Sequence, residues 1–160
     1  KSKDPRPTVR DLVDIKGRLY PVGRLDVNSE GLILMTNDGK LTNYLTHPRY
    51  EHKKEYRVQV ESLPNPDQLK SWREGVVLET GERTLPAKVY LESKNKNSTW
   101  IRVILREGRN RQIRRMGKAT SLPVRRIIRT RIASLYLGDL PPKKWRHLTS
   151  NEVNKLKNIF

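Results

Sequence analysis

The sequence predicts an α+β domain, with a mixed, largely antiparallel β-sheet flanked by short helices, and three patterns carry that prediction. Residues 55–61 alternate strictly, with Tyr56, Val58 and Val60 on one side and Arg57 and Gln59 on the other, the period of a half-buried strand. Thr84 to Glu92 and Thr99 to Leu105 are two further strand-like runs, joined as a hairpin by the polar stretch from Lys94 to Ser98. The helical segments are short, and most connections are not βαβ crossovers, which separates this pattern from a doubly wound parallel sheet.

The remaining elements follow in chain order. Lys1 to Pro7 is polar, interrupted by proline, and reads as an extended lead-in; Thr8 then caps a short helix through Val13. Arg18 to Asp26 contains Pro21 and Gly23 and reads as loop bordering a strand. Leu32 to Thr36 is a continuous apolar run, as in a buried strand. Asn37-Asp38-Gly39 makes a turn into a short helix that runs to His47, where Pro48 stops it. Asn65 and Pro66 supply a cap and an N1 proline for a helix that Gly75 ends. Gly108 breaks the second hairpin strand, Asn110 to Thr120 is helical, and Val124 to Ile132 and Ala133 to Leu137 return to strand. Thr149 to Glu152 is a capping box, followed by Val153, Leu156 and Ile159 or Phe160 at helical spacing. No internal repeat or low-complexity linker divides the chain, so residues 1–160 read as one domain.

Charge narrows the class of partner. Lys and Arg number 34 against 17 acids, a formal net charge of +17 with a pI near 10.4. Such a surplus repels itself in a compact fold and is retained for a polyanion, of which nucleic acid is the first candidate. No apolar run approaches the ~18 residues of a spanning helix. The absence of cysteine removes disulfides, thiolate catalysis and cysteine-bound zinc. His47, His52 and His147 lack metal-ligand spacing. A cytoplasmic, monomeric protein with no cofactor, no metal and no membrane partner is the expectation.

The basic residues cluster. From Arg102 to Arg131 there are 11 Lys or Arg and a single acid, Glu107. Helical spacing would put Arg111, Arg114, Arg115 and Lys118 on one face, with Ile113 and Met116 elsewhere. Guanidinium groups at that density suit phosphate recognition. A solvated charged face is the competing reading, and the lack of acids stands against it, since an ordinary solvated helix mixes signs.

Three segments carry a family resemblance. Gly23-Arg24-Leu25-Asp26 followed by Ser29-Glu30-Gly31-Leu32-Ile33-Leu34-Met35-Thr36-Asn37-Asp38-Gly39 resembles the catalytic motif of bacterial ribosomal RNA pseudouridine synthases of the RsuA/RluB type. Lys54-Glu55-Tyr56-Arg57-Val58 is similar to that family's second motif, and Glu107-Gly108-Arg109-Asn110-Arg111-Gln112-Ile113-Arg114-Arg115-Met116 to its third. The resemblance implies the pseudouridine synthase fold, ribosomal RNA as partner, and cofactor-free conversion of a flipped-out uridine to pseudouridine. It implies that Asp26 is the nucleophile, that Tyr56 packs on the target base, and that Arg114 is the cation beside Asp26, with Arg111 and Arg115 as alternatives. It further implies that Arg24 fills the gap left in the RNA stack, and that Arg109, Arg111, Gln112, Ile113 and Arg115 line the substrate site. Asp26 and Arg114 are then expected within salt-bridge distance, with the Tyr56 ring facing the same cleft.

Members of that branch carry a small S4-type RNA-binding domain before the catalytic one, so the chain is expected to be the catalytic domain without it and without the first catalytic strand. On residues alone, Asp26 could equally be a turn or capping carboxylate, Tyr56 a core residue in phase with Val58 and Val60, and the whole a non-catalytic ribosomal RNA-binding or assembly module. Salt tests the shared premise. Affinity for a ribosomal RNA fragment should fall at least about a hundredfold between 50 and 200 mM salt; a flat dependence in a filter-binding titration would remove residues 102–131 from the RNA-binding face.

Overall fold

The structure, a computed structural model, describes residues 5–95 and 97–157. Among these residues a six-stranded sheet takes the order β2-β7-β4-β6-β5, with β8 also on β7. Its strands are β2 (Glu30–Gly31), β4 (Lys54–Val60), β5 (Lys88–Lys94), β6 (Thr99–Leu105), β7 (Val124–Ile132) and β8 (Leu135–Tyr136). Every pairing is antiparallel except β2 with β7, so the sheet is mixed and largely antiparallel, as expected. A separate two-stranded ribbon joins β1 (Tyr20–Pro21) to β3 (Met35–Thr36).

Local chemistry sets the short helices. Asp38 accepts from the backbone N–H of Lys40 and Leu41 and starts α1 (Gly39–Thr46). Asn65 and Gln68 form a reciprocal capping box that opens α2 (Pro66–Glu74) behind an N1 proline. Thr149 and Glu152 exchange the same pair of bonds at the head of α4 (Ser150–Lys157). The segment after Thr8, Val9–Leu12, is a single 3-10 turn. The expected packing of Ile159 or Phe160 lies outside the described residues, as do the first residues of the lead-in and the middle of the β5–β6 loop.

Four expectations need correction. The run Leu32–Thr36 is not one strand. The chain pairs with β7 at Glu30–Gly31, leaves it, and pairs with β1 at Met35–Thr36, because Gly31 turns at φ +109° against the Arg129 backbone. Strand β5 starts at Lys88 rather than Thr84, because Pro86 has no N–H to give and Thr84 and Leu85 bond Val76 and Glu107 instead. Helix α3 is Gln112–Ala119, and Arg111 precedes it at φ +49°, so the expected four-residue basic face loses its first member. Ala133 takes φ +51° and turns the chain into β8, which shortens the last strand to two residues.

Two apolar clusters result. The larger packs Trp72 of α2 and Ile113 and Met116 of α3 against Val58, Val60, Ile101 and Val103 on one face of the sheet. The smaller gathers Val22, Leu32, Leu34, Leu41, Leu45, Ile132 and Leu156 around the β1–β3 ribbon and α4. Gly31 joins the two halves. A Cβ there would overlap the Arg129 carbonyl oxygen, and the φ is one L-residues rarely adopt. Gly31→Ala should cost about 2 kcal/mol or more, read as a thermal midpoint lower by roughly 4–8 °C. Gly81→Ala, with a comparable φ of +88° but open space around it, should shift the midpoint clearly less; equal shifts would refute the close-packing account.

Candidate active site

A cleft of about 290 Å³ opens where the two clusters meet. Val22, Leu45 and Ile132 come to it from the smaller cluster, and Leu105, Ile113 and Ile127 from the larger. Its polar lining includes Arg24, Asp26, Ser29, Lys54, Tyr56, Arg109, Arg111, Gln112 and Arg129. Asp26 is the single carboxylate among these residues.

Asp26 stands in the loop between β1 and β2, and arginines hold that loop by its carbonyl groups. Arg129 on β7 is only 4% exposed. Its Nε donates to the Leu32 carbonyl, just after β2, at 2.9 Å and its Nη1 to the Arg24 carbonyl at 3.4 Å, so one guanidinium ties down the chain before and after Asp26. Arg114 donates through Nη2 to the Asn28 carbonyl at 3.0 Å. Arg126 and Glu30 add a two-bond ion pair at 2.9 and 3.0 Å, which holds the Glu30 carboxyl below its ordinary value. The remaining Arg129 nitrogen, Nη2, is buried and has no hydrogen-bond partner among the described residues.

Tyr56 points from β4 onto the same cleft and packs its ring against the larger cluster. Burial pushes its phenol above the usual range; the Arg129 charge beside it pulls the other way, and the Asp26 carboxylate adds to the rise. Tyr56 thus both packs against the core and lines the cleft.

The turn before α3 closes the cleft from the side. Gln112 is buried; its amide nitrogen donates to Glu107 at 3.0 Å and its amide oxygen accepts from the Arg109 backbone at 3.1 Å. Glu107 also accepts from the Leu85 backbone at 3.0 Å, so the one acid of the basic stretch serves to order the turn. Arg109 reaches Glu82 and Glu107, and Arg115 reaches Glu79 at 2.7 Å. Ile113 is buried and presents an apolar wall.

The structure therefore sorts the expected site residues. Asp26, Tyr56, Arg24, Arg109, Arg111, Gln112 and Ile113 share the cleft, whereas Arg114 and Arg115 do not line it. The expected ion pair between Asp26 and Arg114 is not made; the Arg114 guanidinium is taken up by the Asn28 and Val124 carbonyls. Arg129, which sequence reasoning passed over, is the buried arginine among those that share the cleft with Asp26 and Tyr56. A signal was present, since Arg129 is in phase with the buried Ile127 on a strand, where alternation calls for a hydrocarbon.

Comparison with known proteins identifies the family. Residues 3–119 match the RNA pseudouridylate synthase family. The chain is 42% identical over 148 residues to ribosomal large subunit pseudouridine synthase B of Bacillus subtilis (strain 168), covering 91% of this chain and 60% of that protein. It is 38% identical over 157 residues to an uncharacterized RNA pseudouridine synthase of Aquifex aeolicus (strain VF5), covering 98% and 63%. A crystal structure of a pseudouridylate synthase superposes with a TM-score of 0.84 at 32% identity, over 94% of this chain and 65% of that one. The chain thus spans about three fifths of the length of the relatives it matches.

The charges around Tyr56 give a signed test. In a carbon-13 NMR titration of labelled tyrosines, Tyr56 should deprotonate above the ordinary 10.0. Arg129→Met should move its titration further up and Asp26→Asn should move it down; a Tyr56 indifferent to both would separate the three side chains.

Proposed function

The chain belongs to the RNA pseudouridylate synthase family, and from that premise we propose that it isomerises a uridine of ribosomal RNA to pseudouridine without a cofactor, using Asp26 as the nucleophile. The N1–C1′ bond breaks, the uracil turns, C5 bonds to C1′, and C5 loses its proton while the freed N1 takes one up, so the product is an isomer of the substrate. The observation that carries the reading is the gathering of Asp26, Tyr56 and the buried Arg129 in a cleft whose rim is basic.

Each role has a physical reason. A carboxylate is a nucleophile only when ionised, and a nearby guanidinium that is never deprotonated favours that state. Arg129 lines the cleft with Asp26 and Arg114 does not; the bond of Arg114 to Asn28 makes it a positioning residue for the loop. The Tyr56 ring offers a stacking surface for the uracil, and Ile113 an apolar wall opposite a base out of its stack. Arg24 stands exposed at the rim, suited to the gap that the flipped base leaves. Arg111 is exposed on the cleft, while Arg109 and Arg115 are held by carboxylates, so Arg111 should give the RNA more than either of them.

We place the target in the RNA of the large ribosomal particle, in keeping with the similarity to the Bacillus subtilis enzyme, and the protein in the cytoplasm as a monomer. Among the described residues no helix is long and apolar enough to cross a membrane. The test is pseudouridine formation in ribosomal RNA, read by chemical labelling and primer extension. Asp26→Asn should lower the single-turnover rate at least about a thousandfold while leaving RNA affinity within a few fold. Arg129→Met should follow it closely, and Arg114→Met should lose far less. Full activity in Asp26→Asn would sink the site assignment, and no product on any ribosomal RNA would sink the enzyme reading.

A further inference from the structure

Lys54 is a cation with no task in the reading above. It opens β4, two residues before Tyr56 and on the same face, between Leu105 of β6 and Ile132 of β7. Its side chain lines the cleft. Among the described residues no carboxylate oxygen lies within 4.0 Å of its ammonium group, in contrast to Arg109, Arg115 and Arg126 nearby. The acid of the adjacent turn, Glu107, is committed to Leu85, Gln112 and Arg109. That turn also lies close to the lysine, since a Cβ added at Gly108 would stand 3.1 Å from Nζ.

A partly desolvated ammonium without a counter-ion is costly, and burial together with the charge of Arg129 pushes its pKa below the ordinary 10.5. Around the cleft, Arg24, Lys54, Arg109, Arg111 and Arg129 face the lone carboxylate of Asp26. Such a surplus fits an anionic occupant, and the only full anion that an unmodified RNA strand brings is its phosphodiester. A lysine is a compact point charge that can follow one phosphate oxygen without the planar match a guanidinium needs.

We propose that Lys54 is a phosphate-binding residue inside the cleft, its ammonium holding a phosphodiester oxygen of the RNA strand that carries the nucleotide entering beside Tyr56. The proposal rests on the isomerase reading for what enters the cleft. It assigns the cleft two kinds of contact, an apolar and aromatic one for the base and a buried ionic one for the backbone next to it. Docking at Lys54 draws the strand inward, past the exposed arginines at the rim.

The experiment measures binding of a labelled single-stranded octauridylate across a salt series, with thermal melts as a check on folding. Lys54→Met should lower affinity at 100 mM salt roughly five- to tenfold, and reduce the slope of log affinity against log salt by about 0.7, the value for one phosphate contact on a single strand. Lys54→Gln should do the same if the methionine variant does not fold, and Lys54→Arg should restore most of the slope. An unchanged slope, or an arginine variant as weak as the methionine one, would overturn the proposal. Binding needs no turnover, so the two readings fail separately. A Lys54-dependent slope in a protein that makes no pseudouridine sinks the isomerase reading alone, and pseudouridine formation with no such slope sinks this one alone.

Discussion

A guanidinium occupies the place of a core side chain on β7, and the arrangement of the cleft depends on it. Burying a charge is expensive unless its hydrogen-bonding groups are met. Arg129 meets two of its nitrogens with backbone carbonyls on either side of Asp26, that of Arg24 within the loop and that of Leu32 just after β2. Those bonds convert a loop of glycine-bordered, weakly self-specified backbone into a fixed shelf for Asp26. The β2–β7 pairing and the Leu32 N–H bond to the Arg129 carbonyl add a backbone tie at the same point, so strand and loop are registered together. A hydrocarbon at this position would fill the space but leave the loop carbonyls without their donor.

The same constraint explains why the described residues form two apolar clusters rather than one. The Asp26 loop and the segment leaving β2 pass between the sheet with α2 and α3 on one side and the β1–β3 ribbon with α1 and α4 on the other. Polar groups gather at that seam because backbone that is neither helix nor ladder must find partners there. The cleft is the unfilled part of the seam, which is why it has apolar walls from both clusters and a polar lining from the loops.

The net charge is spent unevenly. Several arginines of the basic stretch serve the fold: Arg114 holds a carbonyl, Arg109 and Arg115 pair with acids from the segment between α2 and β5, and Arg126 pairs with Glu30. On the opposite face of the sheet, Arg57 and Arg126 stack on Trp100, and Arg102 stacks on Tyr90. Exposed pairs of this kind contribute little stability each, but they fix the directions of long side chains that would otherwise wander.

Much of this was legible beforehand. The alternation at 55–61, the polar hairpin loop, and the caps at Asn65 and Thr149 are local signals, written in neighbouring residues, and they gave the sheet class and the helices. The three motifs marked the family, and with it Asp26, Tyr56 and the turn around Gln112. What the sequence could not decide is which of many arginines meets which loop. Arg129 lies 103 positions from Asp26, and Arg114 is nearer in sequence and in a richer motif. The choice is made by the parallel pairing of β2 with β7, which places Arg129 under the loop, and by the φ +49° of Arg111, which sets where α3 begins. Local residues determine which elements form. The long-range register between strands determines which buried charge reaches the cleft that Asp26 lines, because only the folded sheet brings residues 26 and 129 to one cavity.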